Sequence, residues 1–248
     1  MFQNIGEVIV LLWRTVLALP RTLRERRKVF EQFFEIGNAS LFMACILAFF
    51  IGGVLALQTG PVLAERGLQS FIGQVVGVSM CRELAPVMMA VLIAGRIGSA
   101  MAAEIGSMKV YQELDALRTM NINLVHYLVL PRVVAISLGL PILVIFAVLM
   151  GWMGGAVVSY ANYQVAISFD SFFSSLRSGV APVDILNGLI KSFVFAVFIG
   201  LVSCHQGLAT IGGPRGIGRS VTKAVVNSIV LILLLDYFLT RVLQHLPS

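Results

Sequence analysis

From Ala39 to Gln58 the chain reads ASLFMACILAFFIGGVLALQ, a run without one charged side chain. About 20 apolar residues in a helix cross the hydrocarbon core of a bilayer, and there the helix satisfies its own backbone hydrogen bonds. The same run in water would have no polar face to give to solvent. Composition agrees: 58% of the residues are hydrophobic and 12% are charged, against about 25% charged in an ordinary soluble domain. The sequence therefore specifies an all-α integral membrane protein. Its 248 residues accommodate five spans with short connections and leave no length for an attached nucleotide-binding or extracellular domain.

Beyond a polar turn at Gly60–Gly67, the stretch Gln69–Met108 is interrupted only by Arg82, Glu83, Arg96 and Glu104. It is too long for one upright span, and Pro86 is expected to kink or break it. If it divides, the spans number six. The polar stretch Lys109–Asn123 reads as a short helix outside the bilayer. A third span follows over Leu124–Tyr160, then a polar loop over Asn162–Asp184 containing Asp170 and Arg177, then spans near Ile185–Leu208 and Val221–Leu243. Residues 1–28 stand apart from the transmembrane domain, 29–248. Phe2, Ile5, Ile9, Leu12, Val16 and Leu19 recur at helical spacing with Gln3, Glu7 and Arg14 opposite, which describes an amphipathic helix lying in the interface and ended by Pro20. Glu7 ahead of the apolar run, and the basic residues after it, argue against a signal peptide.

Charge orients these spans. With the N-terminus inside, inner segments carry thirteen basic residues: Arg14, Arg21, Arg24, Arg26, Arg27, Lys28, Arg96, Lys109, Arg118, Arg132, Arg215, Arg219 and Lys223. Outer segments carry three, Arg66, Arg177 and Arg241. Basic residues concentrate on the cytoplasmic side of membrane proteins, so the Lys109–Asn123 helix is expected in the cytoplasm and the C-terminus outside. The net charge of +6 then reflects topology and anionic lipid rather than nucleic acid.

Two features carry possible chemistry. Ala94, Gly98, Ala102 and Gly106 recur every fourth residue, shadowed by Gly95, Ser99, Ala103 and Ser107, with similar ladders at Gly52, Ala56 and Gly60 and at Ala147, Gly151, Gly155 and Ser159. Small residues let helices approach closely in lipid; most of these read as packing within the chain, and some as a dimer seam. The second feature is charge within the spans. Arg82, Glu83, Lys191 and Asp236 sit where an unpaired charge costs several kcal/mol, and their signs permit the pairs Arg82–Asp236 and Lys191–Glu83. Gln58 at the end of the first span reads as an interface marker. Gly213–Ser220 (GPRGIGRS) approximates a phosphate-binding loop, but apolar spans flank it where a soluble strand and helix are required, so it reads as a cytoplasmic turn. His126, His205 and His245 fall in separate segments with no metal or hydrolase spacing, and Cys45, Cys81 and Cys204 are isolated. No metal site, resident cofactor or enzymatic activity is expected.

The segment RELAPVMMAVLIAGRIGSAMAAEIGSMKVYQELDALRTM resembles the MlaE family, the permeases of Mla-type ABC lipid transporters that work with MCE proteins. Arg82, Glu83, Leu84, Pro86, Gly95, Arg96, Gly98, Ser99, Ala100, Ala103, Glu104, Gly106 and Met108 match its pattern. Gln58, Pro131-Arg132, Lys191-Ser192 and Asp236 extend the likeness over nearly all of the chain from residue 39. The resemblance implies a permease moving phospholipid between a bacterial inner membrane and a periplasmic MCE protein, in the service of outer-membrane lipid asymmetry. It implies a homodimer, a cytoplasmic ABC ATPase that binds the ATP and magnesium, and a small STAS-domain subunit. It also implies a lipid cavity near Arg82, Glu83 and Gln58 with Leu55, Val62 and Leu84 against acyl chains. ATPase coupling would fall on Glu113, Leu114, Asp115, Leu117 and Arg118. The competing readings are a proton-coupled secondary transporter using Glu83 or Asp236, for which the chain lacks an internal repeat, and a membrane scaffold. An enzyme lacks a nucleophile and base at useful spacing.

Overall fold

In the computed structural model the described residues are 26–162, 165 and 167–245, with Gly6, Glu7, Val10–Trp13, Thr15 and Leu17 from the N-terminal segment. Among them every regular element is helical. The elements are α1 (Arg26–Glu65), α2 (Gln69–Val110), α3 (Glu113–Thr119), α4 (Val125–Ala161), α5 (Phe169–Gly179), α6 (Pro182–Leu208) and α7 (Gly213–His245). Five helices are long and apolar enough to cross a membrane: Ser40–Glu65 within α1, then α2, α4, α6 and Gly213–Leu243 within α7. The chain is thus a multi-pass membrane protein, with five such helices among the described residues. The alternative of six falls away because α2 continues through Pro86.

That continuity has a local cause. Met80–Leu84 forms a π turn, closed by the Ala85 N–H on the Met80 carbonyl, and the wider turn relieves the crowding that a proline ring imposes on the preceding helical turn. Two further π turns occur, at Ala94–Gly98 in α2 and Val125–Val129 in α4. α1 likewise runs through the expected turn at Gly60, with Pro61 inside it. It stops instead at Gly67, whose φ of +67° lets the Gly67 and Leu68 N–H groups reach the Ala64 and Leu63 carbonyls at 3.0 and 2.8 Å, a Schellman stop. Asn121, at φ +58°, ends α3 the same way, its own N–H on Arg118 O and that of Ile122 on Leu117 O. The expected turn Gly213–Ser220 is the start of α7, with Pro214 in the first turn, where its missing N–H costs nothing. The expected loop Asn162–Asp184 contains α5, begun by Ser168 Oγ accepting from the Ser171 N–H.

Packing divides the chain into two compact units. One comprises Met1–Asn38, Ala90–Leu140 and Phe193–Phe238. Within it the small-residue ladder of α2 lies against α6 and the residues just after it: a Cβ on Gly98 would come 2.8 Å from Ser203 Oγ, and one on Gly106 2.9 Å from Thr210 Oγ1. Ala94 and Ala102 are buried beside them. Arg132 of α4 pairs with Glu104 of α2 at 2.8 Å. Leu11 and Thr15 of the N-terminal segment are buried, whereas Val10, Trp13 and Leu17 are exposed, an outward apolar strip suited to acyl chains. Glu7 reaches His205 Nε2 at 2.8 Å. The expected positions Phe2, Gln3, Ile5, Ile9, Arg14, Val16, Leu19, Pro20, Arg21 and Arg24 lie outside the described residues.

The other unit comprises Ala39–Met89, Pro141–Ser192 and Leu239–Ser248. Here the glycine ladders of α1 and α4 meet backbone to backbone. A Cβ on Gly52 would strike the Gly151 carbonyl, and one on Gly154 the Phe49 carbonyl. Gly73 of α2 abuts the Phe172 carbonyl of α5 in the same manner, and Phe172 and Leu176 are buried beneath α5.

Candidate functional site

The π turn Met80–Leu84 places Arg82 and Glu83 opposite one stripe of α6 formed by Asp184, Gly188 and Lys191, residues at helical spacing on a single face. Gly188 sits at the centre of this contact. A Cβ there would strike the Cys81 carbonyl and come 3.2 Å from Pro86 Cγ, so only glycine admits the approach. Pro86 has no N–H to offer the Arg82 carbonyl four residues earlier. Lys191 Nζ takes that place, donating to Arg82 O at 3.2 Å.

Lys191 also donates to Glu83 Oε2 at 2.7 Å and to Thr240 Oγ1 at 2.6 Å. Thr240 in turn donates to Glu83 Oε1 at 3.1 Å, which closes a ring of hydrogen bonds around the ammonium. Beside it, Arg82 Nε donates to Asp184 Oδ1 at 2.6 Å. The other carboxylate oxygen of Asp184 accepts from the Ala181 N–H at 2.9 Å, the reach of a third helical residue back to its N-cap. Each pair has one enclosed and one outward member. The side chains of Lys191 and Asp184 are each 3% exposed, and those of Glu83 and Arg82 are 40% and 50% exposed. The α6 members hold two opposite charges on the open side of α2. Charge-assisted hydrogen bonds of this kind are worth about 1.5–3 kcal/mol each, enough to keep both side chains oriented in an apolar setting.

The site lies near one end of the spans. Asp184 is in the first turn of α6, and Lys191, nine residues beyond Pro182, stands about 14 Å along it at 1.5 Å per residue.

The structure brings Lys191 and Glu83 together. Arg82 takes Asp184 as its partner in place of the expected Asp236. Leu55, Gln58 and Val62 share a face of α1 separate from that of the buried ladder Gly52, Ala56 and Gly60. Leu55 is half-buried, Gln58 and Val62 are exposed, and Leu84 is half-buried beside the charged pair. In α3, Leu114 is fully buried and anchors the helix rather than presenting a contact, and Leu117 is half-buried. Glu113, Asp115 and Arg118 are exposed, with Asp115 bridged to Lys109 at 3.6 Å and to Arg118 at 3.4 Å. Gly95 differs from its neighbours in the ladder: it faces outward, and nothing lies within 4 Å of a Cβ built on it.

Sequence reasoning missed Asp184 and Thr240. Asp184 had a signal, since Ala181-Pro182-Val183-Asp184 is a helix start with proline first and an acid third. Nothing local distinguishes Thr240.

The family profile described as permease MlaE matches residues 29–242. A Synechocystis protein named probable ABC transporter permease protein slr1045 is 40% identical over 239 residues, covering 96% of this chain and 90% of the relative. A Rickettsia bellii protein named probable ABC transporter permease protein is 35% identical over 239 residues, 96% of this chain and 92% of its own. The Arabidopsis thaliana protein named trigalactosyldiacylglycerol 1, chloroplastic, is 34% identical over 233 residues, 94% of this chain and 66% of its own.

Proposed function

This chain belongs to the MlaE permease family, and from that membership we propose that it is the membrane subunit of an ABC transporter that moves phospholipid, with a partner ATPase supplying the energy. The observation that carries the lipid reading is the outward pair Arg82 and Glu83, held by buried partners on α6. An anchor for the spans alone would gain nothing from leaving these charges half-exposed, since burial between helices stabilises packing equally well without them. A lipid headgroup entering beside α2 meets both charges, and its chains meet Leu84 and the outward face of α1 at Leu55, Gln58 and Val62.

The rest of the assembly follows from the same reading. α3 docks on the ATPase through Glu113, Asp115 and Arg118, with Leu114 and Leu117 seating the helix so that ATPase closure is transmitted into α2. Two copies meet along the open face of α2 at Gly95, Arg96, Ser99 and Ala103, where small residues leave room for a second backbone. In this reading, supported by the excess of basic residues on one side of the spans, the N-terminus lies on the cytoplasmic side of a bacterial inner membrane and the charged site on the periplasmic side, where an MCE protein exchanges lipid with it to maintain outer-membrane asymmetry. A STAS-domain subunit accompanies the ATPase. The chain itself contributes no catalytic residue.

Purification of the tagged chain from its native membrane in mild detergent, followed by mass spectrometry of proteins and lipids, tests this. The expected result is an ATPase and an MCE protein in stoichiometric amounts, with phospholipid retained. A chain recovered without an ATPase, even after crosslinking through α3, would refute it and turn attention to proton coupling at Glu83 and Asp236.

A further inference from the structure

Resting on the lipid reading of this site, we infer that the Arg82–Glu83 pair selects headgroups that carry both a phosphate and a primary amine, and disfavours purely anionic ones. The division of hydrogen bonds within the site carries this. Arg82 commits only its Nε, to Asp184, so both terminal Nη groups of a half-exposed guanidinium have no partner among the described residues. Two parallel N–H groups in a plane are the donor geometry that grips a phosphate. Lys191 is not available for that task, because its ammonium is enclosed and turned inward to Glu83, the Arg82 carbonyl and Thr240.

Glu83 is the selective element. Each of its oxygens accepts one hydrogen bond, from Lys191 and from Thr240. A carboxylate oxygen has two lone pairs, so each keeps one for a further donor, and the side chain is 40% exposed. A phosphate bound to Arg82 therefore has a carboxylate on the adjacent residue of the same turn. A headgroup with an ammonium beyond its phosphate places a donor there and cancels the repulsion. A glycerol headgroup brings its single negative charge and only neutral hydroxyl donors, so the repulsion between phosphate and carboxylate is offset by Lys191 alone.

The test uses the full chain reconstituted in nanodiscs containing equal amounts of phosphatidylethanolamine and phosphatidylglycerol, extracted into mild detergent, with retained lipid identified by native mass spectrometry. Wild type is expected to retain phosphatidylethanolamine over phosphatidylglycerol by about tenfold. Glu83→Gln, which keeps the shape and an acceptor for Lys191, should reduce that preference to within about twofold, and Glu83→Asp should preserve it. Arg82→Gln should lower retention of both lipids. Equal retention by wild type, or a preference unchanged in Glu83→Gln, would overturn the selectivity while leaving lipid binding intact. Absence of any retained phospholipid in wild type would overturn the lipid reading itself.

Discussion

Replacing Gly188 with alanine adds a single methyl group and should be among the most damaging small changes in the chain. The new Cβ would strike the Cys81 carbonyl and lie 3.2 Å from Pro86 Cγ, and neither neighbour can rotate away. Relief requires α6 to retreat from the π turn by about 1 Å, given that non-bonded heavy atoms settle at about 3.5–4 Å. Such a retreat stretches the Lys191–Glu83 and Arg82–Asp184 contacts, now 2.7 and 2.6 Å, beyond hydrogen-bonding range. Overpacking alone costs about 1–3 kcal/mol, and weakening two charge-assisted bonds, each with one solvent- or lipid-facing partner, adds about 2 kcal/mol. For a chain of this size about 3–5 kcal/mol corresponds to a fall in Tm of roughly 10 °C. Scanning fluorimetry of the detergent-solubilised protein measures it, with Gly218→Ala as the comparison, since nothing lies within 4 Å of that Cβ. A Gly188→Ala protein melting within about 2 °C of its parent would show that α6 does not seat on the π turn as described.

Lys191→Met leaves the Arg82 carbonyl and Glu83 Oε2 without their donor and should cost about 2–4 kcal/mol, a buried-pair loss discounted for the half-exposure of Glu83; adding Glu83→Gln should recover about 1–2 kcal/mol, and strict additivity in a denaturation double-mutant cycle would mean the two do not interact. Thr240→Val should lower stability by about 1 kcal/mol and Thr240→Ser should restore it, so equal melting of the two variants would remove the hydroxyl from the network. In α3, Leu114→Ala should destabilise the fold by about 2–5 kcal/mol because the side chain is fully buried. Arg118→Glu should leave Tm unchanged and abolish ATPase co-purification, and retention of the ATPase would move the docking surface elsewhere.

The spans were legible because charge is so costly in lipid that its absence marks them, and the ladders because glycine and alanine at every fourth position have one use there. The Lys191–Glu83 pair was legible from sign alone. What escaped were features governed by backbone geometry at a distance. Pro86 signals a break only if the preceding turn is α-helical; the π turn at Met80–Leu84 removes the clash, and Lys191 supplies the missing donor from more than a hundred residues away. Gly60-Pro61 and Gly213–Ser220 read as turns from local propensity, yet both are helical because Gly67 and Gly212 provide the positive φ at the true chain reversals. Asp184 was counted with a polar loop, although its role follows from the helix start it caps.

If the charged π turn handles lipid, transfer depends on Glu83. The most direct measurement is ATP-dependent phospholipid transfer by proteoliposomes containing the chain with its co-purified ATPase, comparing wild type with Glu83→Ala. Glu83→Ala is expected to retain the ATPase at wild-type stoichiometry and to lose most of the transfer. Transfer at the wild-type rate by that variant would contradict it and return Glu83 to a purely structural pairing with Lys191.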